Sequence, residues 1–503
     1  MNRKLPIGIS SFEEIRTGNY YYVDKTYFVK KLTDQGKYYF LSRPRRFGKS
    51  LFLDTIKCAF EGKKELFHGL FLEHNWDWEY QYPTIRLSFD TFFENSLELK
   101  NFLKSRQNYW ASFYQITITS QHVGERNFEL FENLYNKTGK QIVLLVDEYD
   151  KPILDHIENP QIAKEIREVL KGFYQTVKYL DKYLKFVFIT GISKFAKVSL
   201  FSGLNQLNDI SLDKEFSTIC GYTEDELINT FRHLVYSKEL DSIREWYNGY
   251  NWLGENVYNP FDVLLYLQKR DFRNYWFETG TPSFLIKILQ QKEFYIPRLE
   301  KTYSTEQLLS LFDIETVLPE ALLFQSGYLT IKQTIKFEDI TEFELSYPNK
   351  EVRIALNTLI ANHFYSDSHL LVKNLKMIFY NSQLDQLPAF LNTLFAQIPF
   401  QWYTRTCQYE AFYCTIFYVF LVATGLNVIA EDTSSTGNID LTILHQNTAY
   451  IFEFKVDKGQ PIEQILSKQY PNKYLHYQNV FGIGIVVDST SKTVKSFQMV
   501  QLK

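Results

Sequence analysis

SRPRRFGKSLF, Ser42 to Phe52, ends like a phosphate-binding loop but begins with a charge where such loops have glycine. The pattern is G-x-x-x-x-G-K-[S/T]; Gly48, Lys49 and Ser50 supply its second half, and Arg43 occupies the first glycine position. The retained half carries most of the chemistry. Gly48 allows close backbone approach, Lys49 reaches β- and γ-phosphate oxygens, and the Ser50 hydroxyl is a Mg2+ ligand. The flanks decide between this reading and a basic turn that merely ends in GKS. KYYFLS (Lys37–Ser42) predicts a short buried strand, and Leu51, Leu53, Ile56 and Phe60 follow at helical spacing. Strand, loop and helix in that order present an anion to a helix N-terminus, where unpaired N–H groups and the helix dipole favour it. Arg46, Phe47, Gly48, Lys49, Ser50 and Leu51 are therefore expected to bind nucleotide phosphates.

A loop of this kind needs an acidic strand end beside it, and KQIVLLVDEYDKP (Lys140–Pro152) provides one. Ile142 to Val146 are continuously apolar, as in a strand buried on both faces of a parallel sheet. Asp147 then holds Mg2+ directly or through water, and Glu148 polarises the water that attacks the γ-phosphate. A third strand, KFVFITGIS (Lys185–Ser193), ends in polar Thr190 and Ser193, where ring-type ATPases place a residue that senses the γ-phosphate. The alternative for Asp147 and Glu148 is an ordinary solvated strand end; their company with GKS favours the nucleotide reading.

Bulk properties bound the partners. A chain of 503 residues implies two or three domains, and 45% hydrophobic with 22% charged residues excludes disorder. Net charge is −3, and residues 376–503 hold nine Lys/Arg against nine Asp/Glu, so any nucleic-acid contact must use local patches. Cys58, Cys220, Cys407 and Cys414 show no C-x-x-C pairing, which argues against a zinc site or disulfide framework and fits a reducing cytoplasm. The start, MNRKLPIGISSFEE, has no sustained apolar core and is a poor signal peptide. FYCTIFYVFLVATGLNVIA (Phe412–Ala430) is long and uncharged enough to span a bilayer. Gly425 as a helix stop, Asn427, and strand-like continuation into Glu431 and Asp432 instead predict a buried helix followed by a strand, and no membrane partner.

A second constellation lies near the C-terminus. Glu453 and Lys455 sit two apart on YIFEFKV, so strand periodicity puts both side chains on one face. Asp440 lies in IDLTIL, across a hairpin turn at Gln446 and Asn447. Asp440 and Glu453 are hard oxygen ligands suited to Mg2+ or Mn2+, and Lys455 stabilises developing negative charge. D…E-x-K is short and also fits a surface strand with an i, i+2 ion pair, but the flanks Ile451, Phe452, Phe454 and Val456 are too apolar for an exposed strand.

Between these regions, GYTEDELINTFRHLV offers Thr223 and Glu226 as a capping box, and residues 216–375 read mainly as helices. Short strand-like pieces are expected at GYLTI (Gly327–Ile331) and YPNKEVRIAL (Tyr347–Leu356).

VDKT (Val23–Thr26), RPRRFGKS, VDEYDKPILD, ITGISKFAKVSLFSGLNQL (Ile189–Leu207), CGYTEDEL, WYNGY and VYNPF together resemble the bacterial AAA-ATPase-like proteins that carry a C-terminal PD-(D/E)XK nuclease-superfamily domain. The resemblance spans nearly the whole chain, and RPRRFGKS is similar to the usual loop of that family, arginine included. It implies an α/β fold: an AAA-like P-loop NTPase core with a parallel sheet at 1–215, a helical lid and winged-helix-like region at 216–375, and a restriction-endonuclease-like α/β domain at 376–503. It implies ATP and Mg2+ as cofactors, with Mn2+ also suited to the C-terminal site. Arg43, Arg45 and Arg46 either add positive charge around the phosphates or face a partner. In the C-terminal part the resemblance aligns Glu410 opening a helix, G-x-x-D (Gly437–Asp440), E-x-K and Gln464 on the next helix. Many relatives have arginine where this chain has Asn438, a departure that bears on a phosphate contact and not on the metal ligands. Glu410 is also explained as a helix-start carboxylate.

The function this implies is an ATP-binding and ATP-hydrolysing protein coupled to a Mg2+-dependent nuclease. The expected partner is nucleic acid, DNA before RNA, and a homo-oligomer stays open. The alternative is a regulatory ATPase whose nuclease-like domain only binds.

Overall fold

The computed structural model describes the chain apart from residues 1–2, 195–199, 201–205, 278–284, 287, 290–294, 311–317, 339, 366 and 398–409. Cys407 and most of the 195–205 part of the quoted ITGISKF motif lie outside the described residues. The chain forms two compact units, Met1–Gly280 with Ser304–Glu344, and Thr281–Tyr303 with Leu345–Lys503.

The first unit is built on a five-stranded parallel sheet. Its strands are β1 (Tyr38–Ser42), β2 (Thr84–Ser88), β3 (Ile142–Asp147), β4 (Leu184–Gly191) and the short β5 (Asn208–Asp209), in the order β2-β3-β4-β1-β5. Ile142–Val146 of β3 are no more than 2% exposed, as the continuous apolar run predicts for a strand covered on both faces. β4 is inserted between β1 and β3. The loop after β1 and the acids after β3 therefore flank the C-terminal end of β4, where parallel α/β sheets leave a crevice for ligands.

Downstream, Thr223 accepts from the Glu226 N–H and the Glu226 side chain accepts from the Thr223 N–H, the expected capping box, contributing about 1 kcal/mol. The same Glu226 receives the Lys25 ammonium at 2.6 Å, so the VDKT lysine ties the N-terminal segment to this helix. Helices Leu240–Tyr247, Pro260–Lys269 and Pro319–Ser326 follow, with a three-stranded sheet of β6 (Thr302–Thr305), β7 (Thr330–Phe337) and β8 (Ile340–Ser346) in the order β6-β8-β7. The strand expected over Tyr347–Leu356 is instead the start of a helix, Lys350–Phe364. Asn349 caps it by accepting from the Val352 N–H, and buried Val352, Leu356 and Ile360 repeat at intervals of four, a helical stripe that the short apolar run concealed.

The second unit carries a mixed sheet, β13-β12-β11-β10-β9, of β9 (Asn427–Ser434), β10 (Gly437–His445), β11 (Thr448–Val456), β12 (Asn479–Asp488) and β13 (Thr493–Gln501). β10 and β11 pair antiparallel through the expected turn. Gln446 and Asn447 have φ of 45° and 59°, and left-handed conformation at both central residues matches the twist of a two-residue hairpin. β11 and β12 are parallel, with the helix Pro461–Ser467 in the crossover. Gly484 on β12 makes that crossover close, since a Cβ there would stand 2.7 Å from Pro461. The apolar segment after Phe412 is a core helix, Glu410–Ala423, whose Phe417 packs on Phe452 and Phe454 with ring centroids 5.6 and 6.0 Å apart. Gly425, at φ 79°, ends it before β9, and no described helix is long and apolar enough to cross a membrane.

Candidate functional site

The loop after β1 is anchored by its own unusual residues. Arg43 is fully buried, with its guanidinium 4.2 Å over Trp252 and hydrogen bonds to the carbonyls of Ser42, Ser211 and Phe216. Burial lowers its pKa to about 10, which still leaves it charged at neutral pH. Phe47 is buried against Tyr250 and Trp252. Arg43 therefore holds the loop to WYNGYNW and faces no partner, whereas Arg45 and exposed Arg46 line a cavity of about 440 Å³ in this unit.

Gly48, at φ 96°, turns the chain into the helix Lys49–Phe60 in a conformation that side chains rarely adopt. Phe47, Gly48, Lys49, Ser50 and Leu51 all line the same cavity. Lys49 is buried and donates to the carbonyls of Arg43 and Pro44, both at 2.9 Å. Burial lowers its pKa, which the charges of Asp147 and Glu148 only oppose. The loop thus closes on its own ammonium.

Glu148 lines the cavity at φ 53°, and burial raises its pKa against the pull of Lys49. Asp147 is 2% exposed and accepts from Thr190 Oγ1 at 2.7 Å. Thr190 is wholly buried beneath it and lies outside the cavity lining, and Ser193 donates to buried Asp150. The structure thus brings Thr190 to Asp147, and neither residue lines the cavity.

Sequence reading missed Arg86 on β2, which spans Asp54 at 2.8 Å, the Ser50 carbonyl at 3.3 Å and Asp147 at 3.4 Å. Its advance signal was a charge between Ile85 and Leu87 in the middle of a short strand.

In the second unit, regular β10–β11 pairing runs from His445↔Thr448 to Leu441↔Phe452. Beyond it the Asp440 carboxylate accepts the Phe454 N–H at 2.7 Å, taking over a main-chain donor of β11. Glu453 is buried; its Oε1 accepts from Gln464 and from the Lys455 ammonium at 3.1 Å. Lys455 also reaches Glu410 at 3.1 Å. Asp440, Glu453, Lys455, Glu410 and Gln464 are therefore one cluster, drawn from a hairpin and two helices.

Burial pushes the Asp440 and Glu453 carboxyls upward; the charge of Asp440 adds to it at Glu453, and those of Glu410 and Glu431 add to it at Asp440. Burial works against the Lys455 ammonium, yet Glu453 and Glu410 outweigh it and hold it firmly protonated. Glu453 Oε2 is buried without a hydrogen-bond partner among the described residues. A buried carboxylate oxygen left unpaired beside a second carboxylate is what a cation site requires. No group of three or more His, Cys, Asp or Glu that could hold a metal occurs among the described residues. Two carboxylates fit Mg2+, which keeps several waters and takes further oxygens from a substrate phosphate.

Also missed was Glu431, in left-handed conformation at φ 46° on β9, whose charge raises the Asp440 pKa and whose carboxylate accepts from Tyr295 at 2.8 Å.

Comparison with known proteins agrees with this division. A family model described as "Predicted AAA-ATPase" matches residues 6–201, and one described as "PD-(D/E)XK nuclease superfamily" matches residues 408–497. A protein of Azotobacter chroococcum mcd 1, named only as an uncharacterized protein in the vnfD 5′ region, is 42% identical over 508 residues, covering 98% of each chain. No solved structure matches.

Proposed function

We propose, since this chain belongs to the predicted AAA-ATPase-like family that carries a C-terminal PD-(D/E)XK nuclease-superfamily domain, that it binds and hydrolyses ATP in the first unit and cleaves nucleic acid, DNA first, in the second. The observation that carries the nuclease half is Glu453 Oε2, buried beside Asp440 and unpaired among the described residues.

At the loop, Lys49 exchanges the carbonyls of Arg43 and Pro44 for phosphate oxygens, with Arg46 and the N–H groups of Phe47 to Leu51 around them. Ser50 and Asp147 are the residues that would hold Mg2+ there. Glu148 polarises the attacking water, and its raised pKa makes it a better base than an ordinary carboxylate. Thr190 positions Asp147 through its hydrogen bond.

In the second unit Asp440 and Glu453 would hold Mg2+ or Mn2+, which polarises a phosphodiester and acidifies water. Gln464 fixes Glu453 through Oε1 and leaves Oε2 for the cation. Lys455, steadied by Glu410, offers an ammonium to the charge that develops on the phosphate oxygens. Three described cysteines are buried free thiols, in keeping with a reducing cytoplasm.

The test is to incubate purified protein with plasmid DNA and Mg2+, with and without ATP, beside Asp440→Ala. Cleavage lost in the variant is expected, and dependence on ATP marks coupling. No cleavage under any condition, with ATP still bound, replaces this reading by a regulatory ATPase whose C-terminal domain only binds.

A further inference from the structure

Three arginines stand in the loop after β1, and each has a different setting. Arg43 is buried against Trp252 and donates to three carbonyls. Arg46, exposed and in left-handed conformation at φ 69°, lays its guanidinium 5.0 Å over the ring of Phe261, the second residue of the helix Pro260–Lys269. Arg45 is half-buried in the cavity lining, and among the described residues its guanidinium takes part in no ion pair and no hydrogen bond.

The main chain at this place is fixed from far along the sequence. The Arg45 carbonyl accepts from Trp276 Nε1 at 3.1 Å, and Pro44 lies so close to Gly327 that a Cβ there would stand 2.7 Å from the proline ring. The backbone is thus held while the guanidinium stays unengaged. Five cations and two acids, Asp90 and Glu148, line the cavity. Lys25 is paired with Glu226 and Lys151 with Asp155, while Lys49 rests on loop carbonyls and Arg46 on Phe261. Among the described lining residues, Arg45 is the cation that these contacts leave over. It is also close enough to Glu148 for its charge to act there, where burial raises the carboxyl pKa and Lys49 and Arg45 oppose it.

We propose that Arg45 is a catalytic residue of ATP hydrolysis acting within its own chain, its guanidinium donating to the γ-phosphoryl oxygens beside the water that Glu148 activates. In that step the water oxygen bonds to the γ-phosphorus, the bond to the β–γ bridging oxygen breaks, ADP leaves, and the water proton passes to Glu148. Negative charge spreads over the phosphoryl oxygens as this happens, and a planar guanidinium suits two of them at once. Lys49 and the N–H groups of the loop hold the phosphates before and during the step alike. Arg45, next to Glu148, acts where the charge develops, so it serves turnover more than binding. Hydrolysis then needs no arginine from a second subunit. This inference rests on the proposed ATP reading of the same cavity.

The test compares wild type, Arg45→Ala and Arg45→Lys in three measurements: affinity for a fluorescent non-hydrolysable ATP analogue, steady-state ATP turnover, and trapping of MgADP with aluminium fluoride. Arg45→Ala is expected to lower kcat by about a thousandfold or more and to remove the trapped complex, while affinity for the analogue falls by less than about tenfold. Arg45→Lys keeps the charge without the planar fork and recovers only part of the turnover. Unchanged thermal melting confirms that both variants fold. A mixture of Arg45→Ala with Lys49→Ala is expected to stay inactive; turnover recovered in the mixture assigns the arginine to a neighbouring subunit's nucleotide and overturns the proposal. Wild-type kcat and trapping in Arg45→Ala overturn it as well, and leave the ATP reading intact. A wild type that binds no ATP overturns both.

Discussion

Two lysines, one buried and one half-buried, keep opposite company. Among the described residues, Lys49 donates to carbonyl oxygens of its own loop, and burial weakens its hold on a proton. Lys455 stands between Glu453 and Glu410, which hold its proton more firmly than usual. The first is a cation short of an anion, and the second is already balanced. Beside the second lysine, Glu453 keeps one buried carboxylate oxygen without a hydrogen-bond partner among the described residues. One lysine is thus bonded to the backbone of its own loop, and the other is paired with carboxylates.

Exchanging charge at each site is the sharpest way to break this contrast. Glu453→Gln and Asp440→Ala are expected to remove Mg2+-dependent cleavage by about a thousandfold or more while ATP hydrolysis stays unchanged. Lys49→Ala is expected to weaken ATP binding by about 2–3 kcal/mol, roughly a hundredfold in Kd, with the fold intact by circular dichroism. Undiminished ATP binding in that variant removes the loop assignment. Glu148→Gln should leave ATP binding unchanged and slow hydrolysis by about 10²–10⁴.

The carboxylates also give a signature in pH. Their folded-state pKa values are raised, so in metal-free protein their stabilising contribution is complete below the ordinary carboxyl range of about 4 and is lost as pH rises toward neutrality. The metal-free second unit should therefore melt at lower temperature at pH 8 than at pH 5.5, and Mg2+ should reverse this at pH 8. Calorimetry on Asp440→Asn, which carries one titrating group fewer, should show a shallower pH dependence.

Arg86 is the smallest of these effects. Arg86→Ala frees Asp147 and Asp54 of a shared, mostly buried partner and is expected to cost about 1–2 kcal/mol in urea unfolding of the first unit. Arg86→Lys recovers part of it.

What could be read in advance was local. The strand KYYFLS, the loop and its helix, the run Ile142–Val146, the capping box at Thr223 and the turn at Gln446–Asn447 all depend on neighbours within a few residues, and each formed as expected. Glu453, Lys455 and Asp440 were legible because hairpin register brings them together. Arg43 was not: nothing near it tells that Trp252 and the Phe216 carbonyl will bury it. Arg86 and Glu431 were missed for the same reason, since their partners lie on other strands or segments. Tyr347–Leu356 failed differently, because a short apolar run fits a strand or a helix, and here Asn349 and the four-residue stripe decided for the helix.

The contrast between the lysines is tested most directly by calorimetric titration of nucleotide-free protein with Mn2+, comparing wild type, Lys49→Ala and Glu453→Gln. One Mn2+ site is expected in wild type and in Lys49→Ala, and none of comparable affinity in Glu453→Gln. Equal Mn2+ binding in Glu453→Gln, or none in wild type, would contradict a cation site at Asp440 and Glu453.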